Sequence, residues 1–236
     1  MSASATTQED FSPQVLFLQC ALMSLVVYAW SSPFIQPVKI MVVLFHEMSH
    51  GLMALLSGGE VLRIVITADE GGSCETQGGV GTLIVSAGYL GSMLFGGLLL
   101  YLSRFRSCVP VVYTLLSLTL GAALFTVLHD PYSRTFATAL AGSFIFLGLL
   151  APSFFGVIFL RVLGTVSCLY SIIDIYVDIL ADQGEQFAEN DAVAFANLTG
   201  VPASTVGAAW LGISVVFFVI VLRALMRPRG PAPSES

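Results

Sequence analysis

Two histidines and a glutamate stand close together in Phe45-His46-Glu47-Met48-Ser49-His50-Gly51, inside an apolar run from about Pro37 to Leu56. On a helix, residues four positions apart share a face, so His46 and His50 sit one turn above the other, with Glu47 turned to one side. Two imidazoles so placed suit a zinc ion, and a glutamate too far round to ligate is placed to take a proton from water at the metal. The alternative is a packed histidine pair with a stray acid. An ionisable group within hydrocarbon costs roughly 3 kcal/mol or more, a cost that packing alone does not explain.

Catalytic zinc takes three protein ligands and keeps one position open, so a third residue must come from another element. Within the apolar runs the remaining acids are Asp174 and Asp178, again four apart, in Tyr170-Ser-Ile-Ile-Asp174-Ile-Tyr-Val-Asp178-Ile-Leu. Depth separates them. A helix entering near Pro37 carries His46 and His50 to roughly 14 and 20 Å, and one entering on the same side near Val162 carries Asp174 to roughly 18 Å and Asp178 to roughly 24 Å. Asp174 is therefore the expected third ligand. Asp178 stands as the alternative ligand, or as an acid that orients a histidine or lines a path for water. His129, beside Asp130 and Pro131, reads as an ordinary loop histidine.

The elements that must position these groups are membrane helices. The 236 residues are 56% hydrophobic and only 10% charged, against roughly 25% charged in a soluble domain. The expected fold is an all-α polytopic membrane protein of about seven transmembrane helices. A polar tail, 1–14, lacks the basic start of a secretory signal, so the first apolar run reads as a retained span. A single transmembrane domain covers 15–226, and 227–236 form a tail. The spans run from about Val15 to Trp30, Pro37 to Leu56, Val80 to Leu102, Cys108 to Leu128, Phe136 to Leu160, Val162 to Leu180 and Val206 to Leu222. A single helix from near Phe154 is the alternative to a break at Arg161.

Two stretches interrupt the spans. Residues 60–79 are β-branched and then glycine-rich, and read as a small β-hairpin at the membrane surface or dipping into the protein. Backbone at that depth must be paired or line a cavity, and a strand edge beside a hydrolytic centre suits an unwound substrate. The 181–205 loop is polar, with a short amphipathic helix at Asn190 to Thr199 closed by Gly200 and Pro202. Gly88, Ser92 and Gly96 recur at four-residue intervals, a stripe for close helix packing.

With the basic tail in the cytosol, Lys39, Arg104, Arg106, Arg161, Arg223, Arg227 and Arg229 fall on that side and Arg63 and Arg134 opposite, seven of the nine basic residues against two. That split makes the chain a multi-pass protein with a cytosolic C-terminus, and sends the hairpin and the 181–205 loop to the other face. A net charge of −6 with dispersed basic residues excludes a nucleic-acid surface. Cys20, Cys74, Cys108 and Cys168 show no metal-type spacing and no disulfide framework. Asn197-Leu-Thr199 matches a glycosylation acceptor, a weak pattern so close to a span.

The order of a metal-motif span, a glycine-rich hairpin, a small-residue span and a late aspartate span resembles the site-2 protease family of intramembrane zinc metallopeptidases. The likeness is to its compact B-like branch in plants, fungi and bacteria. It rests on Phe45 to Gly51, on Glu70-Gly-Gly through Gln77-Gly-Gly, on Ser86-Ala-Gly88 and on Tyr170 to Leu180. The resemblance implies zinc on His46, His50 and an aspartate, Glu47 as base, and cleavage of a membrane-anchored protein substrate within or beside the bilayer. Two departures stand out. The aspartates stand in Ile-Asp174-Ile-Tyr rather than in the Leu-Asp-Gly pattern, which leaves Asp174 and Asp178 both open. Ala87-Gly88-Tyr89-Leu90-Gly91-Ser92 also lacks the usual proline and asparagine, leaving Ser92 as the polar helper. The competing readings are an ion or metal transporter using the same groups, and a proteolytically inactive membrane scaffold.

Overall fold

The computed structural model describes residues 13–177 and 190–227. Its helices are α1 (Pro13–Tyr28), α2 (Gln36–Leu56), α3 (Gly81–Leu102), α4 (Val109–Thr126), α5 (Pro131–Ile145), α6 (Ser153–Asp174), α7 (Asp191–Thr199) and α8 (Ala203–Met226). Strands β1 (Gly59–Ile66) and β2 (Gly72–Gly78) form an antiparallel hairpin between α2 and α3. Six helices among the described residues are long and apolar enough to cross a membrane. The first apolar run makes α1, which at 16 residues falls short of those six, α5 being counted on to Leu150, and of the ~20 a span needs.

Helices α2, α3 and α6 are the interior of the bundle. On α2 every residue from Lys39 to Phe45 is buried. Between α3 and α6 the backbones nearly touch: a Cβ on Gly96 would lie 2.8 Å from the Gly164 carbonyl oxygen. Apolar side chains gain little by leaving lipid for protein, so small residues that permit such contact are what hold membrane helices together.

The expected break at Arg161 is absent. Helix α6 starts at Ser153 and runs through Arg161, while α5 ends in a π turn, Phe146–Leu150. Proline fixes the boundary. Pro152 brings no N–H and crowds the preceding turn, which forces Ala151 to an extended conformation (φ −82°, ψ 149°). This is the single helix from near Phe154 that the sequence left as the alternative.

The hairpin does not stand beyond the end of α2. It folds back along it. Its root lies at Ser57, whose Oγ accepts from the Val80 N–H. Its turn reaches the opposite end of α2, where Gln36 donates to the Ala68 carbonyl and Lys39 pairs with Glu70. The hairpin thus spans the helix instead of lying wholly on one face, as the charge distribution had suggested. The outer edge of β1 is satisfied by the α4–α5 connection: the Ile64 N–H donates to Val127 O (3.0 Å) and the Ile66 N–H to Ser133 Oγ (2.9 Å). On this edge the backbone is paired, one of the two solutions open to backbone within a bilayer.

A second, smaller core lies apart from the main one. Tyr89 of α3, Ile175, Ala192 of α7, and Val206 and Trp210 of α8 pack together, with Phe195 of α7 against them.

Candidate metal centre

Helix periodicity divides the work of α2 between two faces. Val43 and Glu47 turn to the hairpin, and His46 and His50 turn to α3 and α7. A Cβ on Gly72 of β2 would sit 2.5 Å from Glu47 Oε1 and 2.7 Å from Val43 Cγ1, so the strand backbone lies directly on the carboxylate. A Cβ on Gly88 of α3 would sit 2.4 Å from His46 Nε2 and 2.5 Å from His50 Nε2. Gly88 therefore does more than pack helices: it is the floor beneath the two imidazoles.

The His50 tautomer follows from its partner. Its Nδ1 lies 2.7 Å from the Ile84 carbonyl oxygen, which only accepts, so Nδ1 carries a proton and Nε2 is the ring atom left to face a metal. A ligating histidine is oriented by such a bond from its other nitrogen. Both Nε2 atoms point at one carboxylate, that of Asp191. Its Oδ2 is 3.1 Å from His46 Nε2 and 3.3 Å from His50 Nε2. Ligands held at ~2.0–2.1 Å around a tetrahedral zinc ion are about 3.3 Å apart, so Asp191 Oδ2 stands at ligand spacing from both histidines, and the three donor atoms all lie within 4.8 Å of one another. Burial works to raise the Asp191 carboxyl, but the neighbouring His50 and His46 hold it well below the usual carboxylate range. It stands as an anionic donor group that could hold a metal. His46, His50 and Asp191 form the one three-residue group of metal-ligating type among the described residues, and the donor set fits zinc.

Asp174, the expected third ligand, is not in this group. It lines the same cavity, of about 400 Å³, together with Glu47, Glu70, Gly72, Tyr89 and Tyr170. Helix α6 starts at Ser153 and not at Val162, so depth counted from Val162 does not rank the acids; Asp174 stands at the last residue of α6, on the cavity wall. Asp178 lies outside the described residues. Ser92 faces α6 instead of the cavity: Ser167 donates to its carbonyl, and its own Oγ is buried with no hydrogen-bond partner among the described residues. His129 is exposed and apart from the site.

Asp191 was missed because it lies in the polar 181–205 stretch, where acids are ordinarily solvated. A signal was present. Asn190 caps α7 by accepting from the Val193 N–H (3.0 Å), and Asp191 is the first residue of the helix. An acid there is usually explained by the helix dipole, a reading that draws no attention to a carboxylate facing two histidines.

Across the cavity, β2 presents an edge. The Ile64 and Ile66 N–H groups point away from β2, toward 127–133. Their antiparallel partners Cys74 and Gly72 must therefore turn their own N–H and C=O away from β1. Gly72, Ser73, Cys74 and Thr76 line the cavity, and among the described residues no strand pairs with that edge.

A family model described as peptidase M50B-like matches residues 19–221 of the chain. No curated protein and no solved structure matches it.

Proposed function

The chain belongs to the peptidase M50B-like family, and on that premise we propose that it is an intramembrane zinc metalloendopeptidase that hydrolyses peptide bonds of membrane-anchored proteins. One observation carries the reading: Asp191 Oδ2 lies at ligand spacing from both His46 Nε2 and His50 Nε2 of a membrane-spanning helix, with Glu47 next to His46 in sequence and buried beside them. Asp191 is the proposed third ligand, and Asp174 a polar wall of the cavity.

Zinc, when bound, lowers the pKa of a water toward about 7 and polarises a carbonyl. The chain supplies the rest. Glu47 accepts the proton of the attacking water and returns it to the leaving amine. Its near-complete burial and its seat on the Gly72 backbone fix where that proton goes. The outward groups of Gly72 and Cys74 offer a substrate strand two places to pair, which holds an unwound peptide beside Glu47. A helical amide is shielded by its own hydrogen bonds, and pairing with β2 compensates their loss.

The test is Glu47→Gln against wild type, with zinc content measured on purified protein and new protein termini mapped in membranes of cells expressing each. One zinc in both proteins, and cleavages in or near membrane spans with wild type alone, are expected. Identical termini in the two, or no zinc in wild type, would overturn the reading.

A further inference from the structure

Helix α7 is nine residues long, too short to persist without tertiary packing, yet it carries a carboxylate that must be placed to within tenths of an ångström. Zinc–ligand distances tolerate about 0.2 Å. With the carboxylate about 5 Å from the helix axis, a 30° roll of α7 moves it by about 2.6 Å. Something must fix the roll.

Asp191 and Phe195 are four apart and share a face of α7. The Phe195 ring meets Trp210 of α8 edge to face, centroids 5.8 Å apart. Trp210 in turn lies 5.8 Å from Tyr89 of α3, and Tyr89 lies 5.0 Å from the His46 ring. Both Tyr89 and Trp210 are buried. A run of ring contacts therefore joins a histidine of the site to the helix that bears the aspartate, and Ala192 packs completely into the same cluster. Residues 200–202 tie α7 to α8, with Gly200 in the left-handed conformation (φ 77°), so the tether leads into the same span that carries Trp210.

We propose that Trp210 and Phe195 are positioning residues for metal binding: the aromatic shelf on Tyr89 and Trp210 seats Phe195, sets the roll of α7 and so delivers Asp191 to the two histidines. This rests on the reading of the site as a zinc centre. Neither residue touches the ligands' donor atoms. They act through the helix.

The experiment is a zinc titration of metal-free full-length protein against a chromophoric chelator. Phe195→Ala weakens zinc binding about 10–100-fold, the usual effect of losing a group that orients a ligand, while helicity and the elution profile stay as in wild type. Phe195→Tyr, which keeps the ring, restores affinity. In a Trp30→Phe background Trp210 is the sole tryptophan of the two. Zinc then shifts its emission, and Phe195→Ala removes the shift. Should Phe195→Ala not fold, Phe195→Leu takes its place, with an intermediate loss of affinity and a reduced shift expected. Wild-type affinity in the folded variant would overturn the shelf and leave the zinc reading intact. No zinc uptake by wild type would overturn both.

Discussion

The candidate site has two halves that are held very differently. His46, Glu47 and His50 project from a helix buried along most of its length, with β2 packed on one face and Gly88 of α3 on another. Asp191 projects from nine residues held by a handful of side chains and a three-residue tether. The first half is built into the bundle and exists as soon as the helices pack. The second is delivered by a short element that enters from a polar segment. Local stability differs across a structure with the density of buried contacts, so metal affinity should be set chiefly by the weaker half, and turnover by how the stronger half meets the hairpin.

The largest effect is expected where the built-in half is attacked directly. In Gly88→Ala a methyl group would occupy space 2.4–2.5 Å from both Nε2 atoms, so both rings must shift. Zinc should be lost from the purified protein, with a destabilisation of about 1–3 kcal/mol from overpacking, read as a lower Tm. Stoichiometric zinc in this variant would mean that the two rings have more freedom than the packing implies.

Lys39→Met separates the hairpin from the ligands. Lys39 is buried, pairs with Glu70 at the hairpin turn and lies 5.1 Å from the Trp30 ring centroid. Glu70 itself holds a positive φ of 69°, a conformation uncommon outside glycine. Freeing the turn should speed hydrogen exchange around 67–72 and reduce cleavage about tenfold, within the ~10²-fold that a 1 Å misplacement costs. Zinc content should be unchanged. Loss of zinc would instead couple the two halves.

The smallest effect lies outside both. Asp130 caps α5 by accepting from the Ser133 N–H (2.8 Å). Burial works to raise its carboxyl, but the Ser133 hydrogen bonds hold it below its ordinary 3.8. A depressed native pKa stabilises the fold above the ordinary value, and that contribution is lost as the pH falls through the lowered one. Asp130→Ala should cost about 0.5–2 kcal/mol at pH 7, and the difference in Tm from wild type should shrink below about pH 3.8. A difference independent of pH would assign the loss to packing.

Much of the rigid half was legible in the sequence. The spacing of His46, Glu47 and His50 encodes their geometry once the segment is helical, and an apolar run leaves little choice about that. The hairpin was legible from its β-branched and glycine-rich halves, though not its course along α2, which depends on contacts with Lys39 and Ser133 from distant parts of the chain. Asp191 was not legible. Ranking acids by depth confined the search to apolar runs, and the proposed ligand is carried by the short helix of a polar segment. The break near Pro152 and not Arg161 had the same root. A proline reads as a kink or as an end, and a helix start misplaced by nine residues removed the basis for ranking Asp174 by depth.

The most direct measurement compares zinc content in purified Asp191→Ala and Asp174→Ala, each beside wild type. Loss of zinc from Asp191→Ala with retention in Asp174→Ala is the expected result. Full zinc in Asp191→Ala, or its loss from Asp174→Ala alone, would contradict the assignment of His46, His50 and Asp191 as the metal centre.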